Sequence, residues 1–193
     1  MKPLGTIVRL QLQRSDLKIG PRGRKAYEPA PIISLPAIAI DRGGVTGWDD
    51  DGQTMLDVHH CEHPSGKNHD GLHGFSVLFT PHYTAMRRRF GSHLTEGIAG
   101  ESILVETDRI VSPDDLHDGL AIQAGDDLAR LQVTKIAEPC VEFTRFAIHY
   151  PPDARADHTL TDALNFLRAG MRGFYLRYEG KPLTVRLGDR VYL

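Results

Sequence analysis

A chain of 193 residues with net charge −2, 40% hydrophobic and 25% charged residues has the balance of a globular protein that can bury its own core. The near-neutral charge gives nucleic acid and anionic membranes no bulk electrostatic hold, and no apolar run approaches the roughly 20 residues that span a bilayer. Two cysteines and an N-terminus without a long apolar stretch predict reduced thiols and a cytoplasmic setting.

Nineteen glycines and twelve prolines are spread along the chain, which favours many short strands joined by turns. Residues 6–13 alternate: Val8, Leu10 and Leu12 on one side, Arg9, Gln11 and Gln13 on the other, a half-buried strand. Residues 14–31 read as a loop. Residues 32–41 read as a strand interrupted by Pro36. Residues 75–80 form a short apolar strand, followed by a helix from Pro81 to Phe90 that stops at Gly91. The basic end of that helix, Arg87-Arg88-Arg89, suits its negative pole. Residues 101–106, 120–123 and 128–135 are further strands. Thr159 reads as the N-cap of a helix over 160–169 with an apolar face of Leu160, Ala163, Leu164 and Leu167. Residues 171–178 and 188–193 return to strand. Seven or eight strands and two helices, without regular βαβ alternation, predict one domain over 1–193: mainly β with short helices, a mixed sheet or β-barrel.

Two places carry chemistry. The first is Pro139-Cys140, after the strand over 128–135. Proline lacks a donor and fixes its φ, so the chain turns there and exposes the thiol to a pocket or to solvent. A thiolate is a soft metal ligand and a nucleophile, and nearby positive charge favours it. The second is the segment from Asp57 to His73, where His59, His60, His63, His69, His73 and Cys61 crowd into 17 residues. Its spacing fits no standard zinc pattern, so zinc on the His59/His60/Cys61/His63 loop is disfavoured against a polar loop rimming a pocket with His73 at its base. His59, His60 and His73 are the candidate proton donors, with Asp57 to orient one of them. His82 and His93 read as structural. Glu101 reads equally as a site residue or a strand-edge ion pair.

The ordered set of segments resembles the MOSC domain family, in its small stand-alone bacterial form. The matching residues are Gly5-Thr-Ile-Val-Arg-Leu, His73-Gly74, His82-Tyr83, the run from Phe90 to Glu106 with Gly100-Glu101-Ser102-Ile103, Glu138-Pro-Cys140, and Gly170 to Arg177 followed by Gly188-Asp189. Two departures stand out. Phe75 replaces the second glycine of a frequent His-Gly-Gly, and Ser102 replaces an asparagine that often follows Gly-Glu. The resemblance implies a MOSC-like mixed β-barrel with Cys140 in a cleft, binding the molybdenum cofactor (molybdopterin) with Cys140 as molybdenum ligand, or carrying sulfur on it. Molybdenum-ion and pyridoxal phosphate binding go with the same association.

On this resemblance Cys140 and His73 are the catalytic candidates. Arg145, Arg172, Glu101, Ser102 and Gly74 are the cofactor-binding candidates. Arg87 and Lys181 are further phosphate candidates, and Arg177 is a further cation that would approach Cys140 in a folded barrel. The partners expected are a small-molecule cofactor or substrate and a redox or sulfur-donor protein. A reductase of N-hydroxylated compounds would draw on an external electron donor, since the chain has no dinucleotide fingerprint and no iron–sulfur cysteine set. A binding barrel without catalysis is the third reading.

Overall fold

The structure, a computed structural model, describes residues 1–66, 68 and 72–193. Its elements in chain order are β1 (Pro3–Gln13), β2 (Lys18–Ile19), β3 (Ala26–Tyr27), β4 (Ile32–Leu35), β5 (Ala37–Ile40), β6 (Val45–Trp48), β7 (Thr54–Leu56), β8 (Phe75–Phe79), α1 (Thr80–Phe90), β9 (Ile103–Glu106), β10 (Leu120–Ala124), β11 (Asp127–Ile136), α2 (Val141–Ala147), α3 (His158–Phe166), β12 (Phe174–Arg177), β13 (Leu183–Arg186) and β14 (Arg190–Tyr192).

Seven strands close into a barrel in the order β1-β14-β10-β11-β12-β8-β9 and back to β1. Among the described residues only β8 and β9 pair in parallel, joined through α1. Closure removes the sheet edges. It depends on the length of β1. One edge of this strand serves β14 over residues 3–6 and β4 over residues 10–13, while its other edge serves β9. A second sheet, β13-β5-β6-β7, packs against the barrel, and Ile38, Ile40, Val45 and Val185 join the core of Leu10, Leu12, Phe79 and Phe174. A smaller core beneath the helices holds Tyr27, Tyr83, Met86, Leu104 and Phe143.

The mainly β barrel expected from the sequence is present, with more strands than expected among the described residues. Pro36 splits the strand over 32–41 into β4 and β5, as a residue without a donor in a ladder would. The reading of β1 needs correction. A register shift between Ile7 and Arg9 turns Ile7 inward and leaves Val8 39% exposed. Gln11 and Gln13 are buried, because the 97–100 loop covers their face and accepts their amides at Gly97 O (2.7 Å) and Gly100 O (2.6 Å).

The cap of α3 is Asp157, whose carboxylate accepts the Leu160 N–H at 3.0 Å; Thr159 lies inside the helix. The helix also stops at Phe166, short of the expected 169, where Ala169 takes φ +55°. Asp157→Ala should lower the midpoint of a urea melt, with Thr159→Ala lowering it less. The reverse order would restore Thr159 as the cap.

Candidate functional site

After β11 the chain turns at Pro139 and enters α2, with Cys140 as its N-cap (φ −93°, ψ 148°). The turn was legible in the sequence; the helix behind it was not, being only seven residues long with Val, Thr and two Phe among them. Cys140 Sγ accepts the Phe143 N–H at 3.4 Å, and the Cys140 carbonyl accepts the Thr144 N–H and hydroxyl. The thiol is half-buried. It packs against the core beneath the helices and lines a cleft of about 600 Å³.

Six segments converge on this cleft: residues 13–27, 58–65, 73–76, 99–102, 137–142 and 172–175. Arg172 crosses its floor. The guanidinium donates from Nη2 to Ala99 O at 2.8 Å and stacks 3.4 Å from the centroid of the Phe143 ring. Its Nε and Nη1 are buried and have no partner among the described residues. The same Phe143 thus carries the amide that faces Cys140 and the ring that seats Arg172.

Glu101 is 3% exposed and lines the cleft beside Arg172. Its Oε2 accepts the Tyr83 hydroxyl at 2.8 Å, while the Tyr83 oxygen accepts the Ala99 N–H at 2.9 Å. Its Oε1 is buried without a partner. Burial pushes the carboxyl up to about 7, against the opposing pull of the Tyr83 hydrogen bond and of the Arg172 and Arg9 charges. Of the two readings of Glu101, the strand-edge ion pair is therefore absent from the described contacts. Ser102 is buried too, and its Oγ accepts the Ser76 N–H at 3.3 Å where β8 and β9 begin.

His73 lines the cleft and meets Tyr175 edge-on at 4.9 Å. Asp57, 2% exposed, accepts the Gln13 N–H (2.6 Å), the His59 N–H (2.8 Å) and the His59 ring at Nδ1 (2.9 Å). The residue that Asp57 orients is therefore His59, whose ring lines the cleft with His63. His60 turns inward toward Asp41 (3.4 Å). No group of three or more metal-type side chains forms among the described residues. Lys67, His69, Asp70 and Gly71 of this segment lie outside the described residues.

Several expected site residues are elsewhere. Arg145 leaves the cleft: its guanidinium donates to the carbonyls of Pro151 and Ala154 and lies over the Tyr150 ring at 5.1 Å. Five residues on from Cys140, a helix has turned roughly 140° past its starting face. Gly74 packs behind the wall, where a Cβ would sit 2.8 Å from Gly44 Cα. Gly173 serves a close approach to β8, not to a ligand, since its Cβ would meet Val77 O at 2.4 Å. Arg87 pairs with Glu96, Arg177 pairs with Glu179, and Lys181 is exposed between β12 and β13. His82 is buried within α1 on Val111 O, and burial lowers it to about 4, as suits a structural histidine.

Sequence reasoning missed Arg14, Lys18, Lys25, Tyr27 and Tyr175, all of which line the cleft. The first four belong to what read as a plain loop. Its signal was Gly20-Pro21 and Gly23, which turn the chain into the β2–β3 hairpin beside α2. Burial raises Tyr27 and Tyr175, which also feel Arg172 and Cys140.

A mixed barrel with a half-buried thiol in a polar cleft is the class this geometry defines. Solved structures share the fold. The YUAD protein from Bacillus subtilis is 15% identical with TM-score 0.57, covering 99% of this chain and 94% of that one. YiiM from Geobacillus stearothermophilus is 17% identical with TM-score 0.51, covering 100% and 74%. YiiM from Escherichia coli is 13% identical with TM-score 0.51, covering 83% and 64%. No curated protein matches the chain. The sequence pattern of the MOSC domain matches residues 67–192, and the chain belongs to the MOSC domain family. No helix among the described residues is long and apolar enough to cross a membrane.

Proposed function

We propose that this cleft holds a molybdenum-cofactor-type ligand or a carried sulfur at Cys140. The observation that carries the reading is the shared cleft of Cys140 Sγ and Arg172, whose Nε and Nη1 are buried without protein partners. The residues fit such a group. Arg14, Lys18 and Lys25 suit the phosphate of a pterin cofactor, although Lys18 and Lys25 also face Glu142 and Asp16 at 3.8 and 3.9 Å, while Arg172 offers its two unpartnered donors to the rest of the ligand. Cys140 offers the soft donor that molybdenum prefers. Bound there, the cofactor supplies the redox centre. The chain's own residues hold the anionic end, set the thiol by the Phe143 amide and screen it with Tyr27 and Tyr175.

As a carrier, Cys140 thiolate attacks the outer sulfur of a donor persulfide. A new S–S bond forms on Cys140, and the donor leaves as its thiolate. The partners in this reading are a small-molecule cofactor or substrate and a protein that donates sulfur or electrons.

Protein produced with molybdate is expected to contain molybdopterin, or a cyanide-labile sulfur on Cys140. Cys140→Ala is expected to lose either one nearly completely, while its melting temperature stays close to that of the wild type. Wild-type protein devoid of both, with ligand binding untouched by Cys140→Ala, would defeat the reading.

A further inference from the structure

The floor of the cleft contains two unspent polar groups held in one frame. Ala99 donates its N–H to the Tyr83 oxygen and gives its carbonyl to Arg172 Nη2. Tyr83 in turn gives its proton to Glu101 Oε2. The Phe143 ring fixes the guanidinium from below. Within this frame, Glu101 Oε1 and Arg172 Nε and Nη1 are buried and unpartnered. Folded proteins rarely leave such atoms unpaired, because each costs the desolvation of a polar group. Their common partner is a ligand that reaches the floor.

An acceptor beside donors selects that ligand's chemistry. A simple anion satisfies Arg172 but meets the Glu101 carboxylate. A simple cation has the opposite fault. A neutral group with an N–H next to a C=O satisfies both. We propose that Glu101 and Arg172 read the lactam edge of a heterocyclic ligand, Glu101 Oε1 accepting its N–H and Arg172 donating to its carbonyl. This rests on the cleft being the ligand site argued above.

The hydrogen-bond chain sets a second expectation. Tyr83 occupies Oε2, so a proton taken up by Glu101 sits on Oε1 and turns the acceptor into a donor. The charged and titratable groups facing Glu101 are Tyr83 from α1, Arg9 from β1, Tyr27 from β3, and Arg172. Lactam binding is therefore expected to strengthen as pH rises through about 7. Oxyanion binding to the same floor would weaken. In Glu101→Gln the Tyr83 hydroxyl claims the amide oxygen, which leaves an NH2 in the place of Oε1, a fixed donor.

The test is a calorimetric or NMR titration of the full chain with uracil, 1,3-dimethyluracil and inorganic phosphate. Uracil is expected to bind, with dimethyluracil at least roughly tenfold weaker for want of the N–H. Glu101→Gln and Arg172→Met should each weaken uracil by about tenfold or more, and only the wild type should show the rise with pH. Equal binding of the dimethyl compound, uracil binding unchanged in Glu101→Gln, tighter phosphate than uracil at pH 8, or no uracil binding would each overturn the assignment.

The lactam edge can belong to the cofactor's own heterocycle or to a separate substrate. Uracil excluded from cofactor-loaded protein assigns it to the cofactor; uracil bound to loaded and stripped protein alike assigns it to a substrate. Uracil failing on protein stripped of cofactor, when Cys140 is shown to carry sulfur or to bind the cofactor, overturns the floor assignment alone. Uracil binding to a protein whose Cys140 carries neither overturns only the Cys140 reading.

Discussion

Truncating Phe143 to alanine is expected to destabilise the protein by about 3–5 kcal/mol, the largest effect of any single change around the cleft. The ring is fully buried, meets Tyr27 edge-on at 5.1 Å and lies 3.4 Å from the Arg172 guanidinium carbon. Removing it opens a cavity and deprives a buried cation of its stacking surface. It also loosens the first turn of α2, where the Phe143 N–H faces Cys140 Sγ. Cys140→Ala, by contrast, deletes one small side chain and a weak sulfur acceptor, for about 1 kcal/mol. Urea unfolding of the two variants measures the difference. A Phe143→Ala cost no greater than that of Cys140→Ala would mean that the ring does not hold the site together.

Glu101→Gln is expected to remove a pH dependence of stability worth about 3 kcal/mol. The carboxyl rises from an ordinary 4.5 to about 7 on folding, chiefly because burial penalises its charge. A carboxyl raised in this way favours the folded state most when protonated. Its contribution is complete below pH 4.5 and is lost as pH climbs through about 7. The wild type should therefore lose ground to Glu101→Gln across that window, by about 3 kcal/mol between its ends. Other titrating groups act in both proteins and cancel in the comparison. Denaturant melts at pH 4, 6 and 8 give the curve. A gap that stays constant with pH would place the Glu101 carboxyl in contact with solvent.

These two residues also mark the limits of sequence reading. The alternation of β1 was plain, yet Gln11 and Gln13 are buried, because hydrogen bonds to the carbonyls of Gly97 and Gly100 satisfy amides that look solvated. Glu101 stood out beside Gly100, but its isolation from water comes from Tyr83 on α1. Arg145 and Arg172 stood alike in sequence as cofactor-binding candidates. The helix that starts at Cys140 carries Arg145 away, and the return to β12 brings Arg172 back under Phe143.

The sequence by itself determined the strand-rich class and the turn at Pro139-Cys140, and its resemblance to the MOSC domain family put His73, Glu101 and Ser102 in one ordered set of motifs. The first two rest on local rules: side-chain period and the missing donor of proline. Only the tertiary structure decided which residues share the cleft. Barrel closure brings residues 13, 59, 101, 140 and 172 together across long separations, and the 14–31 loop supplies Lys18, Lys25 and Tyr27 over it. Which cation shares the cleft with the thiol, which histidine Asp57 holds and which carboxyl loses its water depend on packing between segments remote in sequence, and no local pattern encodes that packing.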